Sequence, residues 1–173
     1  MLGSSLASSG WAQRKSTQKH TSTAVVTMQT QAAGTVSVSL APVPDGALVT
    51  SGASGQRVLD LGTVSRGSRL QNPNVQVRQL PDRLVVSTKI GLTIQDSGQR
   101  FSSATVLASL AFPDAARVLS LDGIRLNTVP QIVQGKAALG RLLAHRLEIE
   151  VPASLTEKNA ELHNAIIFQV VPN

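Results

Sequence analysis

The sequence predicts an all-β fold: a single-domain antiparallel β-sandwich, of the jelly-roll or immunoglobulin-like kind, with about 8–10 strands. Three observations predict it. Apolar and polar residues alternate with a period of two along most hydrophobic segments. Turn-forming Gly, Pro, Asn and Asp recur at short intervals between those segments. The 173 residues are one domain's worth of chain, which buries a core without disulfides.

Residues 1–22 are expected to precede the sandwich as a leader remnant and a flexible basic arm, and residues 23–173 to form it. Gly10-Trp11-Ala12 places small residues at the third and first positions before a cut after Ala12, which resembles the end of a secretory signal. The apolar run before it is short, so Met1 is interpreted as a late start inside a longer signal peptide. The alternative is a disordered Ser/Gly-rich tail.

Strand signals separated by turns fill the first half of the domain. Thr23–Thr30 is rich in β-branched residues, and Thr35–Leu40 alternates strictly. Arg57–Val64 follows a Ser/Gly loop, and Asn74–Leu80 alternates again after an Asn-Pro-Asn turn. The strongest signal is Arg83–Gln95, in which every second residue is apolar or Thr, as expected of a half-buried strand.

The second half continues the pattern. Ser102–Phe112 and Arg141–Val151 alternate, and Leu162–Val171 is the last predicted strand. Arg117–Asn127 is interpreted as two short strands, because Asp-Gly at 122–123 is favoured where both residues of a hairpin turn need positive φ. Phe112 and Phe168 fall on apolar strand faces and are expected to anchor the core.

One short segment favours a helix. Lys136–Leu143 is expected to form a helical turn or two, so the fold contains at most one short helix near 136–143. Ala153–Glu161 is expected to be a loop.

Catalytic and metal-binding chemistry is not predicted. The chain has no cysteine, and His20, His145 and His163 are too scattered for a histidine-rich site. Hydrolase, kinase, dinucleotide and phosphate-loop motifs are absent. Period two places His145 on the strand face opposite Glu148 and Glu150, so these groups do not converge. We therefore expect no enzyme activity, no catalytic residue, no cofactor, no metal and no small-molecule substrate.

The formal net charge of +6 permits binding to polyanions. Arg14, Lys15 and Lys19 form one small cluster, and they are the possible polyanion contacts. The other basic residues are spaced singly, as on a solvated strand face. No apolar stretch approaches the roughly 18 residues of a membrane span.

These observations favour a non-enzymatic secreted or cell-surface protein, a fimbrial or filament-like structural subunit that assembles through strand addition or edge contacts. At the level of architecture the chain resembles a pilin or fimbrial subunit, without its cysteine pair or terminal tyrosine motif. The expected partner is a second copy or another β-sandwich subunit. The possible assembly strand comprises Val25, Val26, Met28, Val36, Val38 and Leu40.

Three alternatives stay open. Thr23–Thr30 is the first strand of its own sheet in the simplest interpretation. The chain is alternatively a viral jelly-roll coat protein, whose basic N-terminal arm neutralises nucleic acid. It is otherwise an extracellular ligand- or carbohydrate-binding module, although such clefts usually rely on aromatic rings that this sequence lacks.

Overall fold

A computed structural model describes residues 22–47, 49–53, 56–64, 73–112, 117–156 and 161–173. Most of them lie in strands, and the predicted all-β sandwich is confirmed. The strands are β1 (Ser22–Gln31), β2 (Val36–Ala41), β3 (Val49–Ser51), β4 (Arg57–Val64), β5 (Gln76–Gln79), β6 (Arg83–Asp96), β7 (Ser103–Leu110), β8 (Val118–Leu121), β9 (Ile124–Arg125), β10 (Gln131–Ala138), β11 (Leu142–Pro152) and β12 (Glu161–Pro172). One short helix, α1, spans Ala153–Thr156.

The strands form two sheets. The first sheet has the order β10-β7-β12-β1-β4-β3. The second has the order β2-β6-β11-β8-β9, and β5 also pairs with β6. β11 pairs with one edge of β6, from Arg83 to Thr93. β5 and β2 therefore lie end to end along the opposite edge of β6, with β5 beside residues 84–87 and β2 beside residues 91–96. All of these pairs are antiparallel except that of β1 with β12.

Alternate side chains of both sheets form the core. In β2, for example, Val36 and Val38 are buried, and Ser37 and Ser39 are exposed. Phe168 is fully buried, so its predicted place in the core is confirmed, and it is the largest such side chain among the described residues. Apart from Phe168 and Met28, the core formed by the described residues is aliphatic, so Val, Leu and Ile supply most of the apolar surface that stabilises the sandwich.

The prediction of a helix near 136–143 is wrong. Gln131–Ala138 is strand β10, which pairs with β7, and a turn at 139–140 leads into β11. The alanines of this segment favour a helix locally, but β7 offers an unpaired edge and Ala137 is buried in the core. Tertiary pairing therefore overrides local propensity. The short helix follows Pro152 instead, where a loop was expected.

The predicted hairpin at Asp122-Gly123 is confirmed. The two residues have φ values of 48° and 82°, and they join β8 to β9. Phe112 does not anchor the core as predicted, since β7 ends at Leu110 and the ring is 77% exposed.

A free sheet edge as the candidate functional site

Among the described residues, three of the four lateral edges of the sandwich carry features that discourage strand addition. β3 has three residues and β9 has two. β10 is longer, but its pairing with β7 shifts register twice and it carries Lys136. Short edge strands, bulges and edge lysines are how natural sheets avoid edge-to-edge association.

The fourth edge consists of β5 and β2 end to end, and its β2 part lacks those features. The six residues of β2 contain no charge and no proline, and they pair with β6 without a register shift, from Val36 opposite Asp96 to Ala41 opposite Gly91. A regular, uncharged edge strand of this length is a template for a further strand.

The backbone of β2 presents two residues outward. The Thr35 carbonyl accepts a bond from the Ser97 N–H at 3.1 Å, on the β6 side, whereas Val36 exchanges bonds of 2.9 and 3.1 Å with Ala33 in the β1–β2 turn. Antiparallel ladders alternate, so every second residue from Val36 onward directs its N–H and C=O away from β6. Val36 is therefore satisfied by Ala33, whereas Val38 and Leu40 are not. No other described residue pairs with the outward backbone groups of Val38 and Leu40.

An apolar hollow of about 310 Å³ adjoins the same edge. It lies where β2 ends and the chain crosses to β3, and Arg57 is the one charged residue among the described residues that line it. The apolar part of the lining consists of Leu40, Ala41, Pro42, Val43, Gly46, Ala47 and Val49. A free backbone edge beside an apolar hollow is the arrangement that β-strand addition uses: backbone bonds supply affinity, and the hollow selects side chains.

The residues of the predicted assembly strand are divided between two environments. Val25, Val26 and Met28 lie on β1, which is paired along both edges, with β12 and with β4. Val36, Val38 and Leu40 lie on β2, which has one free edge. Exchange of β1 between copies stays a prediction. The predicted polyanion contacts Arg14, Lys15 and Lys19, and the leader end at Ala12, lie outside the described residues.

A second, polar hollow lies on the outer face of the second sheet, with a volume of about 370 Å³. Lys89 and Arg146 are directly opposite each other on β6 and β11. Arg146 forms an ion pair of 2.9 Å with Glu148, and Asp45 also lines the hollow, so its charges are balanced. Pro73, Asn74, Gln76, Ser87 and Thr88 complete the lining. The hollow offers hydrogen-bonding groups to a polar ligand.

Sequence reasoning missed a contact between a buried histidine and an exposed carboxylate. The Nδ1 atom of His145 lies 2.7 Å from Oδ2 of Asp122, and His145 is 2% exposed. A carboxylate only accepts hydrogen bonds, so the imidazole Nδ1–H donates. The other carboxylate oxygen accepts the Arg146 N–H at 2.7 Å. Nε2 is buried without a partner, and the pair fastens the β8–β9 turn to β11.

Asp96 organises the loop between β6 and β7 and one end of the β2 edge. Its carboxylate accepts bonds from the Thr35 hydroxyl at 2.5 Å and from the backbone N–H groups of Gly98, Arg100 and Phe101 at 2.8, 2.6 and 3.0 Å. The Thr35 bond contributes most to lowering the pKa of Asp96 from 3.8 to about 2; desolvation opposes the change, and the backbone bonds add to it. Asp96 therefore carries a negative charge across the ordinary pH range.

Comparisons with known proteins assign no family: the chain matches no protein-family model and no curated protein. In the described part of the chain, no three His, Asp or Glu side chains are arranged to hold a metal ion. The same residues contain no helix with the length and apolarity that crossing a membrane requires.

Proposed function

We propose that this protein is a non-enzymatic, exported structural subunit of a cell surface, fimbria or filament, and that it assembles through sheet-edge contacts. The β2 edge is the single observation that carries the proposal: it is regular, uncharged and unpaired at Val38 and Leu40 among the described residues. Stable folded proteins normally protect such an edge, so an open one indicates a partner. The leader-like segment ending at Ala12 is the basis for export.

The contact between buried His145 and Asp122 supports a structural role over an enzymatic one. A general base must reach a substrate proton, directly or through one water molecule. Nε2 of His145 is enclosed in the core, and Asp122 uses both oxygens in bonds within the fold. This pair serves the fold.

The experiment that tests the proposal measures assembly and export of the full chain. Sedimentation velocity across a concentration series is expected to show reversible association, and electron microscopy to show ordered assemblies at the highest concentrations. In a bacterial host the full chain behind an upstream signal is expected in the exported fraction. A chain that stays monomeric at every concentration contradicts the proposal. A variant lacking residues 1–21 separates assembly through the sandwich from assembly through the N-terminal segment.

The polar hollow favours a second candidate, an extracellular ligand-binding module. Its groups are amides, hydroxyls and charges of both signs, which suit a polyhydroxylated or zwitterionic ligand. Titration with a panel of glycans, followed through the backbone amides of Ser87 and Lys89, tests it. Shifts confined to this hollow support the module, and none across the panel argues against it.

A further inference from the structure

We propose that the β2 strands of two copies pair antiparallel across a two-fold axis at Ser39, so that the second sheets of both copies join into one continuous sheet. This inference rests on the proposed function and names its partner and its contact. The partner is a second copy of this chain, and the contact is the free β2 edge.

The register follows from which backbone groups are free. Only Val38 and Leu40 direct their groups outward without a partner among the described residues, because Val36 bonds to Ala33. On the other side the run ends at Pro42, which has no N–H to donate. The register that uses both free residues places Val38 opposite the partner's Leu40, and Leu40 opposite the partner's Val38. Each is a hydrogen-bonded pair that exchanges two bonds.

Ser39 lies on the axis in this register. It forms the non-hydrogen-bonded pair between the two bonded pairs, so it stands directly opposite the partner's Ser39, at a Cα separation of about 4.5 Å. The Ser39 side chain is exposed on the outer face, where its hydroxyl contacts the Thr93 hydroxyl at 2.9 Å. A small polar side chain at this position allows two copies to approach.

Charge supports a second copy as the occupant, and the antiparallel direction. β2 itself is uncharged, so two copies of it do not repel each other. Its ends carry opposite charges nearby: Asp96 is paired with Val36 at one end, and Arg57 lines the hollow beside Leu40 at the other. Antiparallel pairing places the Asp96 end of one copy beside the Arg57 end of the other, whereas parallel pairing would bring like charges together.

The apolar hollow is covered by the same arrangement. It adjoins the free edge at Leu40 and Pro42, so a strand added to β2 lies across its opening. Contact between the same patch on both copies is isologous and closes at a dimer. An assembly longer than a dimer therefore requires a second contact surface.

The absence of cysteine from the sequence permits a register-specific test. In Ser39→Cys, oxidised glutathione is expected to link two copies of the full chain rapidly, because the opposed Cα atoms are within disulfide distance. Ser37→Cys is the matched control on the same strand and face. In the proposed register two residues 37 are offset by four residues, about 13 Å, so this variant is expected to remain unlinked.

Charge substitutions supply a measurement that needs no oxidation. Ser39→Lys and Ser39→Asp each place like charges opposite each other, and each is expected to weaken self-association about fivefold or more in sedimentation equilibrium. An equimolar mixture of the two is expected to form mixed dimers at least as tight as those of the unaltered chain. Thr128→Lys introduces the same charge at an exposed hydroxyl residue between β9 and β10, outside the β2 edge, and is expected to leave association unchanged.

The outcomes separate this inference from the function on which it rests. Association that is unaffected by the Ser39 substitutions overturns the β2 pairing and leaves structural assembly intact. Equal rates of disulfide linkage in the Ser37→Cys and Ser39→Cys variants likewise overturn the β2 pairing and leave structural assembly intact. A chain that is monomeric at every concentration overturns both. If the charged variants do not fold, the linkage pattern of the cysteine variants decides the question.

Discussion

Replacing Gly91 with alanine tests how β2 and the segment after it lie against β6. Gly91 is buried in β6, opposite Ala41 of β2. A Cβ atom at this position would lie 2.5 Å from the Ala41 carbonyl oxygen, 2.6 Å from Cγ1 of Val43 and 3.0 Å from Cδ1 of Leu142. The nearest atom belongs to the backbone, so relief requires movement of the strand itself.

The expected cost follows from two opposing effects. Inserting a methyl group into a filled space costs about 1–3 kcal/mol. The substitution also reduces the conformational entropy of the unfolded chain, which offsets about 0.4–1 kcal/mol. We expect Gly91→Ala to lower the free energy of unfolding by about 1–2 kcal/mol, which for a chain of this size lowers Tm by about 2–8 °C.

Gly135→Ala is the matched control. Gly135 lies in β10 with an ordinary φ, and no atom is within 4 Å of a Cβ built there. The same substitution is therefore expected to be neutral, or to stabilise by up to about 1 kcal/mol. Urea and thermal unfolding followed by circular dichroism measure both variants. If Gly91→Ala is tolerated as well as Gly135→Ala, the close approach of Ala41 and Val43 to β6 is wrong.

Three further predictions concern the core, the contact between His145 and Asp122, and the acid response. Phe168→Ala is expected to lower the free energy of unfolding by about 3–5 kcal/mol, and Phe112→Ala by less than about 0.5 kcal/mol, because only the Phe168 ring is buried. Equal losses for the two variants in urea unfolding would contradict this. Asp122→Ala leaves the buried histidine that it contacts unpaired and places alanine at φ 48°, so we expect a loss of about 1–3 kcal/mol, with Asp122→Asn milder in the same assay. The pKa of Asp96 is lowered, chiefly by the Thr35 hydroxyl, so its contribution to stability is full above its ordinary value of 3.8 and lost as the pH falls through about 2. Acid unfolding of Asp96→Asn and of the unaltered chain should therefore converge over that window, and a constant difference would refute the assignment.

Local patterns were enough to predict most strands, because alternation and turn preferences depend only on residues that are close together in the sequence. The long alternating run that became β6 and the Asp122-Gly123 hairpin are examples. The same reasoning failed at residues 136–143, where a helix-favouring segment pairs with β7. It failed again at Phe112, since alternation does not show where a strand ends.

The candidate site depended on information that alternation does not contain. By sequence alone, two segments look equally suited to be edge strands, Thr23–Thr30 and Thr35–Leu40. In the structure β1 lies inside its sheet, between β12 and β4, whereas β2 lies at the edge of the other sheet. Strand order is set by contacts between distant segments, such as Val25 beside His163. The pairing of Asp122 with His145 likewise arises because β8 lies on β11. Only the apolar alternation of Val36, Val38 and Leu40 was visible in advance.

Backbone hydrogen exchange in β2 is the most direct measurement of the central claim, that this edge receives a second strand. Ser37 and Ser39 bond to β6 in every state, so their amides are expected to be protected at all protein concentrations. The amides of Val38 and Leu40 point outward, so we expect fast exchange in dilute protein and protection that grows as concentration rises. If Val38 and Leu40 exchange at the same rate at low and high concentration while the protein associates, the partner does not bind at β2.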